Sequence, residues 1–159
     1  MTRLITPPTP FAHLPRPWIF LAGTIEMDRA ERWQDAVGAP LAAAGATVLN
    51  PRRDAWDASW PQTADAPMFR EQVEWELHGQ EQADLIVMAF IPGTQSPITL
   101  LELGLFAQTG RLVVCCPDGF WRKGNVDIVC QRYGVPQVAD RDALVQVALG
   151  RLGLKTTAG

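Results

Sequence analysis

The sequence predicts an α/β domain whose parallel sheet is covered on both faces by helices. Three observations lead there. Short continuous apolar runs recur along the chain, at Trp18–Ala22, Ala46–Leu49, Leu85–Ile91 and Leu112–Cys116. They lack the apolar–polar alternation of a half-exposed strand, as expected for strands buried on both sides. Segments of helical periodicity separate them, so strand and helix alternate as in a crossover-connected parallel sheet. The third observation is size and composition: 159 residues, 47% hydrophobic and 19% charged, suit one domain large enough to bury a core.

Residues 1–17 hold five prolines and predict an extended or frayed arm. Trp18–Ala22 is the first strand, ending at Gly23-Thr24. A helix follows over 28–44, with Trp33, Val37 and Leu41 at i, i+4, i+8, and Gly45 supplies the stop. Ala46–Leu49 is the second strand. Residues 51–66 form the one long irregular segment, carrying Arg52, Arg53, Trp56 and Trp60, and loops of that length are often functional. A helix over 67–82 presents Phe69, Val73 and Leu77 on one face. Leu85–Ile91 is the third strand. Ser96-Pro97 predicts an N-cap followed by proline at the first helical position of a helix reaching Thr109. Leu112–Cys116 is the fourth strand. A helix at 125–133, a short strand at 135–138 and a last helix at 141–152 complete the domain, assigned to 18–153, with 154–159 as a flexible tail. Five strands in this alternation suggest a flavodoxin-like three-layer sandwich of strand order 2-1-3-4-5. Its ligand edge lies at the carboxyl ends of the strands, where Gly23, Thr24, Asn50 to Arg53, Ser96 and Glu102 all fall.

Several functions are excluded at this level. The net charge of -3 gives no footprint for a nucleic-acid polymer. No run approaches the ~20 apolar residues of a membrane span. The amino terminus lacks an apolar signal core, so a cytoplasmic protein is expected. Cys115 and Cys116 are neighbours on a strand and point to opposite faces, Cys130 stands alone, and with two histidines no metal-ligand spacing emerges. The phosphate-binding G-x-x-x-x-G-K-[ST] loop, the dinucleotide glycine spacing and the G-x-S-x-G elbow are also missing from the sequence.

Carboxylate chemistry remains. Between Leu85 and Gly110 the only charged residue is Glu102. A carboxylate in apolar surroundings loses hydration and needs a partner or a task. Glu76 or Asp84 could supply a second carboxyl; Asp84 falls at the amino end of its strand, away from the ligand edge, whereas Glu76 lies beside the inward face of its helix. A nucleophilic carboxylate with a second acid is the arrangement that cleaves glycosidic bonds. The competing reading places Glu102 on a narrow solvent stripe with Thr99 and Thr109, and spacing alone leaves both open.

Gly23-Thr24-Ile25, the segment Glu76-Leu77-His78-Gly79 before Ala83-Asp84, and Ser96 followed by Leu101-Glu102-Leu103-Gly104 resemble the nucleoside 2-deoxyribosyltransferases and the related 2'-deoxynucleoside 5'-phosphate N-hydrolases. The resemblance spans roughly 18–138. It implies that Glu102 is the nucleophile attacking C1' of the deoxyribose and that Glu76, in place of the usual aspartate, handles the leaving base. An acceptor base or water then resolves the glycosyl-enzyme, and no cofactor or metal is needed. Implied substrate contacts are Phe20, Gly23, Thr24, Asn50, Arg53 and Ser96, with Asn125 reaching the site of a neighbouring copy in a homo-oligomer, a dimer or larger. Arg52 or Arg53 would add charge for a phosphate, and Trp56 and Trp60 could stack on a base. Transfer between bases is the first expectation. Ser96, six residues before Glu102, matches the serine of phosphate-preferring hydrolases and makes hydrolysis of a deoxynucleotide the alternative. Two departures stand out: the first strand offers Ile19 and Phe20 where the family has a tyrosine, and bulky Ile98-Thr99-Leu100 replaces a glycine-rich approach. The missing hydroxyl motivates a third reading, a nucleotide-binding module without turnover.

Overall fold

The computed structural model describes residues 3–25, 32–53 and 57–157. In chain order these form β1 (Leu4–Ile5), β2 (Trp18–Gly23), α1 (Trp33–Ala43), β3 (Thr47–Leu49), α2 (Pro67–Gln82) and β4 (Leu85–Ala89). Then come α3 (Pro97–Phe106) with a 3-10 turn (Ala107–Thr109), β5 (Leu112–Cys115), α4 (Lys123–Tyr133), β6 (Gln137–Val138) and α5 (Arg141–Leu152). The first part of the helix expected over 28–44, up to residue 31, lies outside the described residues.

All strand pairs are parallel, in the order β1-β3-β2-β4-β5-β6. The expectation of five strands is therefore corrected to six. The extra strand is β1, which pairs Leu4 with Val48 and Ile5 with Leu49 at one edge. The other five keep the relative order expected of them. The proline-rich segment after β1 packs down rather than fraying. Phe11 is buried edge-on against Trp18 and Trp75, with ring centroids 5.4 and 5.5 Å away, and the Trp75 indole donates to Thr9 O at 2.9 Å.

Two cores flank the sheet, as the pleat dictates. Ile19, Leu21, Val48, Leu85, Val87 and Val113 meet α1 and α5 on one face. Phe20, Ala22, Leu49, Ile86, Met88 and Val114 meet α2, α3 and α4 on the other. Cys115 belongs to the first core and Cys116 to the second, and all three cysteines are free and buried. Among the described residues no helix is long and apolar enough to cross a membrane.

The inward face of α2 differs from the expected one. Gln72, Trp75, Gly79 and Gln80 are buried, whereas Phe69, Val73 and Leu77 are half-buried. Gly79 explains the rotation: a Cβ there would come within 2.9 Å of the Phe20 ring, so only glycine lets the helix settle so close to β2. With α2 docked on Phe20, Gln80 reaches Glu102 on α3 and Gln72 reaches Pro51 O beyond β3, with Glu76 between them on the helix.

Candidate functional site

Glu102 is the sixth residue of α3, so it lies about 7.5 Å along the helix from its start, over the sheet face rather than at its rim. It is 8% exposed, and Thr99 one turn earlier is also buried. The solvent-stripe reading is overturned: the outward face of α3 carries Ile98, Leu101 and Leu105, exposed by 59, 59 and 53%. The polar Thr99 and Glu102 thus face inward beside the core residues Leu103 and Phe106, while the outward face is apolar.

α2 brings the second carboxyl. Glu76 Oε1 accepts a hydrogen bond from Gln72 Nε2 at 2.8 Å, and the same nitrogen donates to Pro51 O at 2.8 Å. One turn on, the fully buried Gln80 donates through Nε2 to Glu102 Oε2 and to Glu76 O, the latter at 3.2 Å. Burial pushes Glu76 up to about 7. Burial, and then the neighbouring Glu76 charge, push Glu102 up to about 8, against the pull of the Gln80 hydrogen bond. Two carboxyls that feel each other's charge release their protons as a pair, so near neutral pH the site holds at least one proton between them. Asp84, the other carboxyl considered, has a structural place: it accepts from Trp18 N at 2.7 Å and pairs with Arg16 at 2.9 Å.

A second polar group sits at the carboxyl ends of β2 and β4. Thr24 and Ser96 share a buried hydroxyl–hydroxyl hydrogen bond, and Thr94 Oγ1 lies 2.9 Å from Ser96 Oγ and 3.3 Å from Thr24 Oγ1. Ser96 precedes α3, but its side chain makes no capping bond. It adopts φ 48° and ψ 51°, the only positive φ at a non-glycine among the described residues. That left-handed backbone costs about 1–2 kcal/mol, and it turns the hydroxyl toward Thr24 instead of along the helix. Gly23 beneath is obligatory for close approach, since a Cβ would stand 2.4 Å from Ala89 O and 2.5 Å from the Trp33 ring.

Behind Thr24 runs a polar chain that the sequence did not announce. Trp33 Nε1 and Gln34 Nε2 donate to Thr24 O at 3.1 and 3.2 Å, and Arg52 Nη1 donates to Gln34 Oε1 at 3.0 Å. Asn50, also buried, accepts from Arg52 N at 3.0 Å. The two loop arginines thus differ: Arg52 is buried on this chain, whereas Arg53 pairs with the exposed Glu71 at 3.0 Å, its guanidinium 5.6 Å from the Trp60 ring. Phe20 is wholly in the core, packed against Trp75 and Gly79, and has no polar atom to offer. Asn125 is exposed on α4, and its neighbour Asp127 is engaged by Lys123 and Gln137. Trp56 lies outside the described residues. A cavity of about 240 Å³ at the ends of β4 and β5 is lined by Phe90, Cys115, Asp140 and Arg141 among others, and neither glutamate borders it.

The fold and site together define an α/β domain of the parallel, doubly wound type with a carboxylate pair on two helices, Glu102 buried and Glu76 half-buried, and a hydroxyl cluster at the sheet's carboxyl edge. The model of the nucleoside 2-deoxyribosyltransferase-like family matches residues 16–120, and the chain belongs to that family. The match runs from the end of the proline-rich segment to the loop before α4, so it includes Thr24, Glu76, Ser96 and Glu102 and excludes Asn125. No individual curated protein matches the chain.

Proposed function

We propose that the protein cleaves or exchanges the N-glycosidic bond of a 2'-deoxynucleoside through a covalent glycosyl-enzyme. The observation that carries this reading is the pair of buried Glu102 and half-buried Glu76, Glu102 feeling the Glu76 charge and both held well above the ordinary carboxylate range. The reaction needs Glu102 ionised and Glu76 protonated, the reverse of the distribution that values of about 8 and about 7 favour, so the shared proton passes from Glu102 to Glu76 before the bond breaks. A Glu102 oxygen bonds to C1', the C1'–N bond breaks, and its electron pair leaves with the base, which takes the Glu76 proton. In the second half an acceptor base or a water gives its proton to Glu76 and attacks C1', which returns the electron pair to Glu102. With an acceptor base the reaction is transfer, and with water it is hydrolysis.

The Thr24–Thr94–Ser96 hydroxyls favour a second reading, in which a 5'-phosphorylated deoxynucleotide is hydrolysed. Three hydroxyls beside the N-terminus of α3 suit an anion, and the strained Ser96 backbone is the kind of cost a structure sustains at a functional position. The apolar outer face of α3, together with exposed Ile128 and Tyr133 on α4, supports a homo-oligomer in which Asn125 faces another copy.

Incubation with deoxynucleosides and deoxynucleotides, with and without a free acceptor base, separates the possibilities by chromatography of the bases. New nucleosides mean transfer; free base alone means hydrolysis. Ligand-induced thermal stabilisation without turnover would replace both with a binding module.

A further inference from the structure

Gln80 has no assigned role, yet it is the only described residue hydrogen-bonded to the Glu102 carboxyl. It is wholly buried on α2 and faces two acceptors at once, the Glu102 carboxyl and the Glu76 backbone carbonyl. Only the amide nitrogen has two hydrogens to give, so the flipped amide would set oxygen against oxygen on both sides. The bond to its own helix, one turn back, therefore fixes which end of the amide meets Glu102. Its oxygen is left without a hydrogen-bond partner, a cost the fold accepts to keep the donor aimed.

We propose that Gln80 is the positioning residue for Glu102: its amide fixes the carboxyl and stabilises its ionised form against burial and the neighbouring Glu76. A donor to a carboxylate stabilises its ionised form, and the charge it stabilises is the one required of a nucleophile. Gln72 donates to Glu76 in the same way from a less enclosed position, and each amide nitrogen is shared with one backbone carbonyl, Pro51 O for Gln72 and Glu76 O for Gln80. The two glutamines thus pull on one shared proton from opposite sides, Gln80 opposing the burial and the Glu76 charge that keep it on Glu102. Few other charges bear on the outcome. Glu102 is the only titratable group on α3, and β2 presents apolar Phe20 and Ala22 to this face. Arg111 reaches α2 only through the carbonyls of Gln80 and Ala83. Cys116 and Cys130, in the same core, are held near 11 by burial and stay neutral. The phenyl ring of Phe20 has no hydroxyl that could do this work.

The catalytic consequence rests on the reading of Glu102 as the reacting group; the positioning itself does not. The test is a carboxyl-carbon NMR titration of the glutamate-labelled full chain, with Glu102→Gln and Glu76→Gln identifying the two resonances. Gln80→Met, similar in volume but without a donor, should move the Glu102 midpoint up by about one pH unit and the Glu76 midpoint down. Gln72→Met should do the reverse, and it decides the matter alone if Gln80→Met does not fold. Midpoints that stay put, or that move together, would overturn the proposal. Kinetics add a second readout: Gln80→Met should lower kcat roughly tenfold near neutrality, with KM little changed and the loss shrinking as pH rises. A loss of equal size at every pH would also count against it. Opposite midpoint shifts in a chain that releases no base would uphold the positioning and discard the glycosidic reading.

Discussion

Replacing Glu102 with glutamine should make the protein more stable at neutral pH, and by an amount that depends on pH in a defined way. The side chain keeps its shape and an acceptor for Gln80 while losing a charge that burial and Glu76 both disfavour. Folding raises this carboxyl from an ordinary 4.5 to about 8. Because the folded value is the higher one, the contribution of the neutral carboxyl is complete below about pH 4.5 and is lost as pH rises through about 8. Each pH unit in that window corresponds to about 1.4 kcal/mol. Relative to Glu102→Gln, the native chain should therefore lose about 1 kcal/mol at about pH 5 and at most about 3 at about pH 7. Since the proton is shared with Glu76, the measured slope belongs to the pair and spreads over its two ionisations. Urea unfolding of both proteins across this range, at fixed ionic strength, reads the difference directly. A difference that does not grow with pH, or a variant less stable throughout, would refute the claim that Glu102 is a desolvated carboxyl held against its preference.

Three further outcomes are expected. Glu76→Gln should lower the Glu102 midpoint toward the ordinary range and slow base release by about 10²–10⁴-fold; a substrate whose leaving group needs no proton should lose far less, which steady-state kinetics on the two substrates would show. Ser96→Ala should reduce the preference for a 5'-phosphorylated over an unphosphorylated deoxynucleoside by about tenfold, consistent with one lost hydrogen bond to an anion, while an unchanged kcat/KM ratio would remove Ser96 from phosphate recognition. Leu101→Asp, placed mid-stripe on α3, should shift the protein to monomers in light scattering, whereas a native chain that is already monomeric would dissolve the argument for a second copy.

The sequence carried the sheet and the lone carboxylate well, for different physical reasons. Long buried strands such as Leu85–Ala89 and a sixteen-residue helix such as α2 are written in local periodicity and composition. Glu102 was visible because charge is costly in so apolar a stretch. What was hidden depends on distant partners. β1 is two residues beside a proline-rich segment and exists only because β3 offers an edge. Ser96 has the pattern of a helix cap, yet Thr24, distant in sequence, holds its hydroxyl elsewhere. The wheel of α3 correctly grouped Thr99 with Glu102 but could not say which side faced the core. Gln34, Gln72 and Gln80 were missed, and Arg52 was named without its buried place, because a polar residue has no local mark of burial; their roles arise only when α1, α2 and the end of β3 converge.

Intact-protein mass spectrometry during turnover reaches the nucleophile most directly. A deoxynucleoside or deoxynucleotide with fluorine at C2' slows an oxocarbenium-like step and allows the glycosyl-enzyme to accumulate. Peptide mapping of the quenched protein should place one sugar adduct on Glu102, and Glu102→Ala should show neither adduct nor base release. An adduct on another residue, or base release undiminished in Glu102→Ala, would contradict the assignment of Glu102 as the reacting group.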